Sequence, residues 1–283
     1  MSNTLRRLVA HPSARWALAV IAVLVIAAIV GPMIVPHECH EQIDIVNMKD
    51  QPPSWAHPFG TDQYSRDLLA RVLCGARVSL RVGMLAVAMS MTIGTAYGLV
   101  AGYAGGRLDG TMMRVLDAFL SIPRVLLVIA VLTLWERVPL SGMIVLLGTT
   151  GWFGISRLVR AETLTAKRAV YVDSARALGA PTSRILWRHI LPNVISPVLV
   201  SATLAVGNVI ALEAGLSYLG VGVREPDASW GAIFLDGVSF STRTWWVLFF
   251  PGVAIVATVL AFNVLGDALR DVLDPRQLHE RKS

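Results

Sequence analysis

Six apolar runs decide what this chain can become. The first, Trp16–Val35, is about 20 residues without a charged side chain, the length a helix needs to cross the hydrocarbon of a bilayer. Others follow at residues 82–103, 112–135, 140–155, 194–219 and 245–265. Charged residues are 16% of the chain, where a soluble domain carries about a quarter. The expected fold is an all-α polytopic membrane protein with six transmembrane helices.

The formal net charge is +6, which in such a protein reports cytoplasmic loops and contact with anionic headgroups. Membrane lipid is an expected partner. No basic stripe with interleaved aromatics occurs, so nucleic acid is not. Arg6, Arg7 and Arg15 precede the first run, which is long for a signal-peptide core and lacks a small-residue cleavage site. An uncleaved first helix with its amino terminus inside is expected. Cys39 and Cys74 are read as unpaired small apolar side chains, although both fall outside the membrane, where a disulfide could form. His37, Glu38, Cys39 and His40 are metal-competent but contiguous, without the ligand spacing of a structural zinc site, and no metal is expected.

Residues 36–80 read as a mixed polar segment with little room for a core. Within it, Asp67–Arg81 alternates Leu68, Leu69, Val72, Leu73 and Ala76 with Arg71 and Arg77 at helical spacing. This is an amphipathic stretch expected to lie along the outer membrane surface. Gly94 and Gly98 suit close helix packing within the chain. In the third run Arg114 and Asp117 can pair on one face, Pro123 should kink the helix, and Arg124 stays unassigned beside the membrane. The fifth run holds Asn208 and Glu213, and the sixth holds Asn263; all three are pathway or packing candidates. Residues 220–244 read as an outer loop. Cationic residues concentrate on one side of the resulting topology, with Arg157, Arg160, Lys167, Arg168, Arg176, Arg184 and Arg188 in one connection. Both termini are therefore expected to be cytoplasmic.

That connection contains the most informative polar stretch, Tyr171–Asn193. Ala175, Arg176, Ala177 and Leu178 favour helix, Gly179 suits a left-handed end, Pro181 can open a second helix at its first position, and Pro192 should close it. The expectation is a helix–turn–helix knob outside the bilayer. Its spacing resembles the EAA loop of ABC importer permeases: an acidic residue, two small residues, a glycine four positions on, then Leu-Pro. Here these are Asp173, Ser174, Ala175, Gly179, Leu191 and Pro192. Asp173, Ser174 and His189 depart from the usual residues.

Further blocks resemble the second permease of dipeptide, oligopeptide and nickel importers. They include His57-Pro58-Phe59-Gly60-Thr61-Asp62, Arg66-Asp67, Ala101-Gly102-Tyr103, Ile122-Pro123, Glu213-Ala214, Ser229-Trp230-Gly231 and Ala261-Phe262-Asn263-Val264-Leu265-Gly266-Asp267. Ser65 departs, since glycine usually precedes Arg66-Asp67. The resemblance implies a type I ABC importer transmembrane fold. It divides the chain into residues 1–76 (tail, first helix and extracytoplasmic segment), 77–267 (five-helix transport domain with its EAA loop near 171–193) and 268–283 (cytoplasmic tail). It implies a permease of the inner membrane with four kinds of expectation: a second homologous permease, two cytoplasmic ATP-binding subunits, an extracytoplasmic solute-binding protein, and peptide as substrate, with nickel or another small solute as the alternative.

The chain lacks the G-x-x-x-x-G-K-[ST] phosphate loop, so it is not expected to act as an enzyme or to hold a cofactor. A secondary transporter would show an inverted repeat or several intramembrane acids, and only Glu213 lies deep in a run. A membrane protease would need a histidine inside the bilayer, and His11, His37, His40, His57, His189 and His279 all fall outside the runs.

Overall fold

A computed structural model describes residues 2–35, 39–44, 46–135, 138–223, 227–240 and 244–273. The expected metal-free cluster falls partly outside them, at His37 and Glu38. Among the described residues the regular elements are helical, apart from an isolated bridge between Thr61 and Asp67. Helix α1 (Ser2–Ala10) leads into α2 (Pro12–Ile34), followed by α3 (Leu68–Ala104), α4 (Gly106–Leu120), α5 (Arg124–Leu132) and α6 (Leu140–Ala166). A polar connection holds α7 (Val170–Ala177) and α8 (Thr182–Arg184); α8 runs through a π-helical segment, Ile185–Ile190, into α9 (Leu191–Tyr218). Helices α10 (Trp230–Phe240) and α11 (Trp245–Leu273) follow. Five continuous helices are long and apolar enough to cross a membrane, and α4 with α5, bent by 70°, is long and apolar enough to count as a sixth if the pair is one span. The break falls at Ser121–Pro123, so the expected kink is a full interruption.

The expected surface-lying stretch 67–81 is instead the first part of α3, which has 37 residues. The Asp67 side chain accepts from Ala70 N–H at 2.9 Å and starts the helix, and no proline interrupts it. Two arginines of this stretch turn to protein partners. Arg71 is 2% exposed and paired with carboxylates, and Arg77 donates to the carbonyls of Ala28 and Ile29 at the end of α2. The glycines seat α3 on α6. A Cβ at Gly94 would meet Trp152 O at 2.8 Å, and one at Gly98 would meet Ser156 O at 2.5 Å. Only glycine permits that approach, which makes the small-residue pair an internal seam.

The described part of segment 39–67 has a core after all, and it is polar. Asp62 is fully buried and accepts from Arg66 Nε and Arg71 Nη1, each at 2.7 Å; Asp236 of α10 takes Arg71 Nη1 at 2.9 Å and Arg66 Nη2 at 3.2 Å. His57 Nδ1 meets Asp67 Oδ2 at 2.7 Å. Cys39 and Cys74 are joined in a disulfide, with Cα atoms 6.2 Å apart, which corrects the unpaired reading. The physical reason is the continuous α3, which carries Cys74 alongside the last turns of α2, within reach of the chain that follows α2. Ser65 stands at φ 62°, a conformation that favours glycine; its hydroxyl holds the Asp44 carbonyl at 2.5 Å in compensation. Residues 220–244 are not simply a loop either. Helix α10 packs back on the bundle with Trp230 and Ile233 buried, and Trp230 Nε1 donates to Val72 O at 2.9 Å.

Candidate functional site

The polar connection forms the knob its sequence suggests. Helix α7 ends at a left-handed Gly179, φ 77°. Gly179 N–H donates to Arg176 O at 2.9 Å and Ala180 N–H to Ala175 O at 3.0 Å, the two bonds of a Schellman cap. Pro181 is extended (φ −67°, ψ 153°) and stands one residue before the next helix, at its N-cap and not at its first position. Pro192 does not close that helix: Thr182–Tyr218 is one continuous span. The π-helical segment explains why. Leu191 N–H reaches back to Leu186 O, and the widened turn absorbs the ring and missing donor of Pro192.

The base of the knob is fixed and its tip is bare. Val172, Ile185 and Ile190 are buried in a small apolar cluster with Leu99, Val159 and Val194. Lys167 Nζ donates to Tyr103 O at the end of α3, and Arg160 forks onto Asp109 at 2.5 and 2.7 Å. Ala175 is buried, Leu191 half-buried, and Asp173, Ser174, Gly179 and Pro192 exposed. Asp173 pairs with Arg176 at 3.0 Å, and Ser174 Oγ donates to Val170 O at 2.9 Å. Leu178 at the turn is 88% exposed, with Val170 and Trp187 also outward. Asp117 pairs with Arg157 of α6 at 2.5 Å, not with Arg114 as its spacing suggests, because the neighbouring helix supplies a closer cation. Such a knob offers a shaped surface rather than reacting groups.

Glu213 lies far from the knob and is fully buried. Its Oε1 accepts from Ser217 Oγ at 2.7 Å and its Oε2 from Ser79 Oγ at 3.5 Å; Ser229 Oγ is 3.3 Å from Ser217 Oγ. It faces the bundle interior. Ser217, one turn further along α9, is a partner that helical spacing could have named; Ser79 and Ser229 come from distant elements. Asn208 is exposed on α9, and Asn263 sits half-buried on α11 beside Gly207. Neither is a hydrogen-bond partner of Glu213.

A multi-span helical bundle with a capped, outward knob and a glycine-seamed interior defines a membrane component that works through packing and surfaces. Residues 94–279 match the family described as binding-protein-dependent transport system inner membrane component, and residues 1–53 match the N-terminal TM domain of oligopeptide transport permease C. The chain belongs to this family of inner-membrane transport permeases and is not an enzyme. It is 41% identical over 272 residues to the dipeptide transport system permease protein DppC of Bacillus subtilis, covering 96% of this chain and 84% of that one. It is 39% identical over 273 residues to the oligopeptide transport system permease protein OppC of Haemophilus influenzae, covering 96% and 87%. It is also 39% identical over 259 residues to the glutathione transport system permease protein GsiD of Pectobacterium atrosepticum, covering 90% and 84%.

Proposed function

We propose that this permease forms half of the translocation pathway of an ATP-driven peptide importer. It would pair with a second homologous permease, two cytoplasmic ATP-binding subunits and an extracytoplasmic solute-binding protein. The knob is the coupling element. Its bare tip carries the reading: Leu178 is 88% exposed above a base in which Val172 is fully buried. A tip of that kind can enter a groove on an ATPase, and the fixed base passes the motion to α6 and α9. Two facts support a cytoplasmic knob and cytoplasmic termini. The Cys39–Cys74 disulfide, which needs an oxidising compartment, lies at the opposite end of α3. The cations of the 157–188 connection lie at the knob end. Peptide as substrate is supported by relatives named for dipeptide, oligopeptide and glutathione transport.

Gly179→Asp tests the coupling role. A Cβ at φ 77° costs about 1 kcal/mol, too little to unfold the bundle, while the tip is distorted and gains a charge. Expected are normal membrane insertion, loss of the ATPases on co-purification, and uptake reduced at least tenfold. Full ATPase retention with normal uptake would reduce the knob to an ordinary connection.

A further inference from the structure

Arg124 is a cation in the bent α4–α5 pair, and among the described residues it has no carboxylate partner. It opens α5 just after the 70° break. Its Nη2 donates to Leu147 O at 2.9 Å and its Nε to Thr150 Oγ1 at 3.4 Å. Among the described residues no carboxylate pairs with it, whereas Arg66, Arg71, Arg157 and Arg160 all have one. Leu147 and Thr150 lie roughly 10 and 15 Å along α6 from its start, which puts the guanidinium near the middle of a bilayer core about 30 Å thick. A cation at that depth is costly without a counter-charge or a water-filled cavity.

The surroundings are arranged to keep it accessible. Arg124 lines a cavity of about 260 Å³ with Phe119, Ile122, Thr150 and Gly151. A Cβ at Gly151 would come within 3.1 Å of Arg124 Nη2 and 2.5 Å of Ser90 Oγ, so glycine leaves the guanidinium its space. The two hydrogen bonds occupy Nε and one hydrogen of Nη2. Both Nη1 hydrogens and the second on Nη2 remain, the edge that grips a carboxylate end-on through two parallel bonds. The flanking surface is bare, with Ile122 49% and Leu126 60% exposed, as the wall of a shared pathway must be before its other half is added.

We propose that Arg124 holds the carboxylate of a peptide in transit, midway along the pathway. This rests on the importer reading above. The test is uptake into proteoliposomes containing the whole importer, with the binding protein saturated by a peptide or by its C-terminal amide. Wild type is compared with R124K, R124Q and R124E. Expected for the free-acid peptide is a loss of about tenfold or more in R124Q, a larger loss in R124E and the smallest in R124K. Amide uptake should change less than about twofold across the series, and all subunits should remain associated. Three results would overturn the proposal. Equal losses for acid and amide would make the guanidinium a clamp between α5 and α6. Loss of the partner permease from the R124Q complex would place the counter-ion on that partner. Unchanged acid uptake would leave the cation without a role in transit. A wild-type complex that imports neither peptide would instead bring down the importer reading, and this inference with it.

Discussion

The disulfide end of the bundle and the tip of the knob are specified by different means. At the disulfide end, residues 39–67 are fastened to three helices: Cys39 to Cys74 on α3, Asp62 and Asp236 to the same two arginines, and Thr61 O to Trp246 Nε1 of α11 at 3.1 Å. Phe59 stacks on Phe250 at 3.8 Å between centroids. The charges there are buried and matched. At the knob end the Asp173–Arg176 pair of the tip is exposed above the largely buried Asp109–Arg160 pair of the base, and the tip is specified by backbone geometry, a Schellman cap followed by an extended proline. Buried pairs make a surface that keeps its shape and tolerates little change. An exposed pair on a fixed backbone leaves a surface free to meet another one.

Substitutions at each end test that contrast. Asp62→Ala leaves two buried guanidiniums short of one carboxylate, and a loss of about 3–5 kcal/mol is expected, measured from unfolding in detergent micelles. A change below about 1 kcal/mol would mean the network is effectively solvated and the contrast false. Replacing both cysteines by serine releases a loop closed over 35 residues, and should lower stability by about 3–4 kcal/mol in the same measurement. Insensitivity to reductant would show that the segment is held by packing alone. Asp173→Ala, on an exposed i,i+3 pair, should change stability by less than about 0.5 kcal/mol. A larger loss would show that the knob's charges hold its shape, as those of the other end do.

What could be read from sequence was what is local. Run length announced the spans, Gly179 its left-handed cap, and Gly94 and Gly98 their seam. Pairings across long separations were not legible. Nothing at Asp62 announces Asp236, and the bond between Cys39 and Cys74 depends on α3 being continuous, which an amphipathic reading of residues 67–81 obscured. The π-helical segment has no sequence signature, so Pro192 on its own suggests a stop. Arg114 and Asp117 have suitable helical spacing, yet Arg157 on another helix takes the carboxylate. Helix α10 is 11 residues long, too short to stand out between two spans.

The glycine seam divides helix α3 into unequal lengths. The helix is about 55 Å long, and the glycine seam that presses it against α6 sits near its knob end. From Gly98 the short arm to Ala104 is about 9 Å and the long arm back to Leu68 about 45 Å. Were α3 to tilt as a rigid rod about the seam, a displacement of about 1 Å at the short end would become about 5 Å at the far tip. The disulfide and the buried ion network make that tip a stiff plate, so the amplified swing would move the whole face together rather than dissipate in a loose loop.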